Sequence, residues 1–139
     1  MIEQAGQSID GYSDLNNFYK KLLNEVPDLI FQLEIASDKD FKFLFVSPAI
    51  KELYELEVED VKRDASLVLE KRILAEDYMP FLHSILKAKV DLKPWSNEFK
   101  AMLPKKGVRW FLGSAKPERM EDGRVIFYGR IADVTEKKE

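Results

Sequence analysis

The sequence predicts an α+β fold, a five-stranded and largely antiparallel sheet with helices on one face and an amphipathic helix ahead of it. Three observations predict it. Strand patterns fall into two early segments and three late ones, with helical patterns gathered between them, and such segregation marks α+β rather than alternating α/β architecture. Short turns join neighbouring strands, among them an Asp122-Gly123 pair of the kind that closes hairpins. Apolar residues make up 45% of the 139 positions, enough for one core in which the central helices cover one face of the sheet.

Residues 1–12, with Gly6, Gly11, Gln4, Gln7 and Ser8, show no periodicity and are expected to be a flexible lead-in. A helix follows over 13–26, capped by Ser13 or Asp14, with Leu15, Phe18, Tyr19, Leu22, Leu23 and Val26 on one side and Pro27 as its stop. That stripe is too short for a free coiled coil, so it must bury itself against this domain or a second copy. Leu29, Phe31, Leu33 and Ile35 alternate with Gln32 and Glu34 as a half-buried strand. After a turn at 36–40, Phe41 to Val46 forms a second, more apolar strand whose inward face the pattern leaves open. Ser47-Pro48 reads as a cap and first turn for a helix over 49–56 that buries Ile50, Leu53 and Tyr54. Residues 57–69 suit one or two brief helical turns. Asp77 is expected to cap a longer helix, 78–89, with Phe81, Leu82 and Ile85 on its apolar side. Trp95 to Leu103, Val108 to Ala115 and Val125 to Val134 supply the last three strands, and a helix opens at Thr135.

Composition excludes several functions. With 22 basic and 25 acidic side chains the net charge is −3, which argues against a nucleic-acid partner. Zero cysteines rule out disulfides, thiolate catalysis and cofactors attached through sulfur. The longest apolar run, Phe43 to Val46, is strand-sized, so no membrane insertion is expected and a cytoplasmic location is. The acidic residues Glu55, Glu57, Glu59, Asp60 and Asp64 lack calcium-loop spacing and, interleaved with Lys62 and Arg63, read as a solvated face. No acid–base pair, metal set or nucleophile emerges, so the domain itself is not expected to be an enzyme. Gly129, inside the last strand, marks either a bulge or close approach by a ligand.

Local motifs add to this. Val46-Ser47-Pro48-Ala49-Ile50, Glu76-Asp77, Trp95 with Glu98-Phe99-Lys100, Gly107-Val108-Arg109-Trp110, Glu121-Asp122-Gly123-Arg124, Gly129 and Asp133-Val134-Thr135-Glu136 stand in an order that resembles a PAS domain with its C-terminal PAC-type extension. The sequence departs from many PAS domains at Glu55-Leu56, where Gly-Tyr is common, at Leu74-Ala75, where His-Pro is, and at Lys106, where aspartate is usual. The resemblance places the domain over 27–135 and makes 136–139 the start of a connector to an output domain, a histidine kinase or diguanylate cyclase, in a longer protein.

It also implies a sensor with a small ligand between the sheet and the central helices, for which Phe31, Leu33, Phe45, Ile50, Tyr54, Leu82, Ile85, Phe99 and Gly129 are the candidate lining residues. Asp133 would anchor, and Thr135 would cap, the outgoing connector, while Leu15, Phe18, Leu22 and Val26 would pair two copies into a homodimer. His83 stands where some haem-binding relatives carry a proximal ligand, although it is otherwise an ordinary helix histidine at the rim of an apolar face. A flavin could be held only without a covalent adduct, since no cysteine exists. The rival expectation is an interaction module without ligand, its interior filled by its own Phe and Leu side chains.

Overall fold

The computed structural model describes the backbone of residues 2–138 and the side chains of 14–138. Helix α1 (Ile2–Glu25) leads into strands β1 (Leu29–Ser37) and β2 (Asp40–Val46). Short helices α2 (Ile50–Tyr54) and α3 (Val58–Arg63) and a π-helical turn (Leu67–Lys71) then precede the long α4 (Ala75–Asp91). Strands β3 (Trp95–Leu103), β4 (Gly107–Arg119) and β5 (Val125–Asp133) follow, and α5 (Thr135–Lys138) begins beyond them. The five strands form one sheet in the order β2-β1-β5-β4-β3, antiparallel throughout.

One face of that sheet is the core. Leu29, Phe31, Leu33 and Ile35 of β1 meet Phe127 and Ile131 of β5 and Phe111 and Ala115 of β4 there, all buried. Helix α4 lays Phe81, Ile85 and Ala88 on this face, and Phe81 packs edge-on against Trp95 and Phe99 with ring centroids 5.6 and 4.9 Å away. The Trp95 indole lies across Gly113, where a Cβ would come within 2.3 Å of it, and its N–H donates to Ser84 Oγ on α4 at 2.8 Å.

Several expectations change. The helix starts at Ile2 rather than at Ser13, so the lead-in expected over 1–12 is helical where described. No proline interrupts that segment, and glycines such as Gly6 and Gly11 cost a helix about 1 kcal/mol each without breaking it. Ser47 caps no helix, because its hydroxyl accepts the Ile30 N–H at 2.9 Å and ties β1 to the chain leaving β2. Asp77 falls inside the first turn of α4, and its carboxylate accepts the Lys100 N–H of β3 at 2.6 Å. Strand β4 continues through Pro117 to Arg119; beyond Trp95↔Ala115 it has no β3 partner, so the missing proline N–H costs no ladder bond.

Two candidate lining residues are also re-placed. Leu33 pairs with Phe43 and Gln32 with Phe45, which leaves Leu44 as an extra residue in β2. This bulge turns Phe45 to the outer face beside Gln32, half-buried and away from the core. The register runs unbroken through Gly129, from Phe31 to Ala115, so the glycine marks no bulge. A Cβ there would lie 2.2 Å from Ser114 O and 2.4 Å from Ala115 Cβ; what approaches closely is β4, not a ligand.

Candidate functional site

The expected pocket beneath the helices is filled. Phe31, Leu33, Ile50, Tyr54, Ile85 and Phe99 are each no more than 4% exposed and interlock in the core. Of the candidates, Leu82 borders a cavity. That cavity, about 440 Å³, is a half-open cleft beside the edge strand β2. Its depth is apolar, formed by Phe41 of β2, Leu69 of the π-helical turn, and Phe81 and Leu82 of α4. Its rim is polar, with Asp38 and Lys39 from the β1–β2 turn and Arg63, Asp64, Ser66 and Glu70 from α3 onward.

Hydrogen bonds hold the rim in place. Asp64 accepts from the Ser66 N–H (3.0 Å), the Ser66 hydroxyl (2.6 Å) and Lys71 Nζ (3.2 Å), which fixes the entry to the π-helical turn. The Ser66 hydroxyl foremost, and then Lys71, draws the Asp64 carboxyl below the usual range. Asp38 pairs with Lys89 at 2.8 Å. Across the cleft, burial and then the Glu70 carboxylate raise the Tyr78 phenol. A π-helical turn packs its backbone less regularly than an α-helix and often borders functional sites. Among the described residues no group of acids and histidine is placed to hold a metal. His83 is exposed on α4 and lines no part of the cleft, so the residues present do not fit a haem bound through it.

The end of the sheet is tied differently. Asp133 accepts from Arg109 Nε at 2.8 Å and from the Thr135 N–H at 2.9 Å, and the Thr135 hydroxyl also donates to it. Thr135 Oγ1 in turn accepts the Trp110 N–H at 2.8 Å, and Val134 N–H donates to Trp110 O at 2.8 Å. Burial pushes the Asp133 carboxyl up, but the bonds from Thr135 and Arg109 together outweigh it and hold the group below the usual carboxylate range. Thr135 therefore serves β4 rather than capping α5, and the two residues singled out for the connector do meet. Lys138 of α5 reaches the outer face, 2.9 Å from Glu98 and 5.2 Å from the Trp110 ring centroid.

One connection had no motif to announce it. The Glu55 carboxylate accepts the N–H groups of Lys105 (2.8 Å) and Lys106 (3.1 Å) in the β3–β4 turn, while Arg72 donates to the carbonyls of Tyr54 (3.2 Å) and Glu55 (3.3 Å). The only sequence signal was a glutamate where a helix end favours glycine.

A profile of the family described as PAS fold matches residues 43–131, from the middle of β2 to the end of β5. The chain belongs to the PAS family. Solved PAS structures share the architecture at low identity. A domain of a Haloarcula marismortui histidine kinase described as light and redox sensing is 16% identical with TM-score 0.67, covering 86% of this chain and 99% of its own. The N-terminal domain of a Marinobacter aquaeolei diguanylate cyclase with PAS/PAC sensor is 18% identical with TM-score 0.62, covering 79% and 99%. A sensory box histidine kinase/response regulator from Burkholderia thailandensis is 13% identical with TM-score 0.63, covering 86% of each chain. No curated protein matches the sequence. PAS domains are sensory modules of signalling proteins, and this one has their five-stranded antiparallel sheet. No helix described here is long and apolar enough to cross a membrane.

Proposed function

We propose that this PAS domain is the sensor of a longer signalling protein, of the histidine kinase or diguanylate cyclase type, and works in the cytoplasm. It takes a small molecule into the cleft beside β2 and passes the change to the connector after Thr135. One observation carries this reading: the cleft beside β2 has an apolar depth and a polar rim, the pattern of a small-molecule site, and its volume lies within the 300–1,000 Å³ such sites span. A ligand with an apolar body and a polar end suits it. Two copies pair through α1, whose Leu15, Phe18 and Leu22 are 47%, 55% and 44% exposed, with Val26 at the base of the stripe.

The filled core favours a second reading, an interaction module that dimerises without ligand. Native mass spectrometry of the freshly purified chain, set against its denatured mass, separates the two. A discrete extra mass on each subunit of a dimer supports the sensor. Bare dimers that gain no mass from a metabolite mixture overturn it in favour of the interaction module, and a bare monomer removes both.

A further inference from the structure

Glu55 closes α2 with φ 57° and ψ 44°, in the left-handed region that a helix end ordinarily reserves for glycine. Leu92 closes α4 in nearly the same backbone, φ 53° and ψ 42°. The two caps differ in what their side chains do. Leu92 is simply exposed, whereas the Glu55 carboxylate spans two consecutive amides, those of Lys105 and Lys106. Lys106 answers by placing its ammonium 2.6 Å from the Glu52 carbonyl, so the β3–β4 turn is strapped to α2 from both directions.

This strap joins two regions that are otherwise far apart in the chain. On one side stands the cleft: Leu69 and Glu70 line it, and Arg72, at the end of the same π-helical turn, holds the carbonyls of Tyr54 and Glu55. On the other side the turn runs straight into β4, whose Arg109 and Trp110 hold Asp133 and Thr135. We propose that Glu55 is the positioning residue that couples the wall of the cleft to the outgoing junction, a latch with a closed and an open state. Closed, its carboxylate holds the turn and the left-handed backbone is tolerated. Open, the backbone is free to relax, and the β3–β4 turn and the junction above it loosen together. The strained backbone supplies the drive to open and the amide bonds the resistance, which makes the latch a two-state element of the kind coupling requires. The proposal deepens the sensory reading and rests on it for the meaning of the cleft, but the mechanical link itself needs no ligand.

Hydrogen exchange of the full chain, resolved residue by residue, tests it in the wild type, Glu55→Gly and Leu92→Gly. Glycine accepts the left-handed backbone freely, so Glu55→Gly keeps the helix end and removes only the latch. Exchange at the Lys105, Lys106, Trp110 and Thr135 amides is expected to rise about tenfold or more in Glu55→Gly and to stay at the wild-type rate in Leu92→Gly. Glu55→Gln, which retains one acceptor oxygen, falls between. Acceleration confined to Lys105 and Lys106 overturns the coupling. Equal acceleration at the core amides of Leu33 and Phe127 overturns it too, since the effect would then be a general loss of stability. A missing ligand in the mass measurement leaves these rates untouched, so the two readings fail independently.

Discussion

The sheet carries two regions that differ in how they are closed. Under α4, Phe99 stacks edge-on with Phe81 at 4.9 Å and Phe111 at 6.0 Å and is 1% exposed. Beside β2, the π-helical turn and the β1–β2 turn line a cleft with α4 to which they contribute polar groups, and Leu69 stays half-buried. Apolar side chains on regular elements interdigitate to crystal-like density. Irregular segments lined by Asp38, Asp64 and Glu70 cannot, because closing over them would strip water from carboxylates. Openness thus follows from element type, and it puts the cleft beside the interior rather than within it.

The sharpest way to break this contrast is to truncate one side chain from each region. Phe99→Ala should cost about 3–5 kcal/mol of unfolding free energy, the loss of a fully buried aromatic plus the void it leaves. Leu69→Ala should cost about 1 kcal/mol, since much of that side chain already faces water. Urea denaturation of both variants measures the difference. Equal costs would mean that the cleft is closed in solution.

A smaller effect separates the junction from the rest of the surface. The Asp133 carboxyl titrates below its unfolded value of about 3.9, so its contribution is fully present above that pH. It is lost as pH falls through the lower folded value. Asp133→Asn should lower stability at neutral pH by about 1–2 kcal/mol and flatten the decline below pH ~4. Thermal melts from neutral to acid pH check both. A variant that keeps the full acid dependence would show that the decline comes from other carboxylates.

Most of the fold was legible because periodicity reports burial. The alternation in β1 and the Asp122-Gly123 hairpin stand where the residues placed them, whereas Thr135, expected as a helix cap, bonds to Asp133 and Trp110 instead. Phe43 to Val46 was not legible: an unbroken apolar run carries no phase, and the bulge at Leu44 that turns Phe45 outward depends on its pairing with β1. The cleft escaped for a related reason. Its rim comes from three stretches of mixed polar residues whose meeting is a tertiary event, and the strongest sequence candidates were strong because they are core. Glu55 was hidden in an acidic run; only its backbone angle and the turn fifty residues on give it a partner.

Tyr54 gives the finest test of the comparison, with the smallest expected effect. It belongs to the filled interior, wholly buried with its ring 4.9 Å from that of Phe111, yet its hydroxyl finds no partner among the described residues. Burial raises the phenol far above its ordinary value, so the group is neutral at any working pH. An unsatisfied buried hydroxyl costs stability. If the interior is as closed as its packing implies, Tyr54→Phe should leave stability unchanged or raise it by up to ~1 kcal/mol, a gain of a few degrees in a calorimetric melt. A loss of that size would show that the hydroxyl is bonded in solution, to water or to a ligand that has entered the core. Either guest would make the interior the continuation of the cleft, and repeating the native mass measurement on Tyr54→Phe would tell the two apart, since only a ligand's added mass would fall with the hydroxyl.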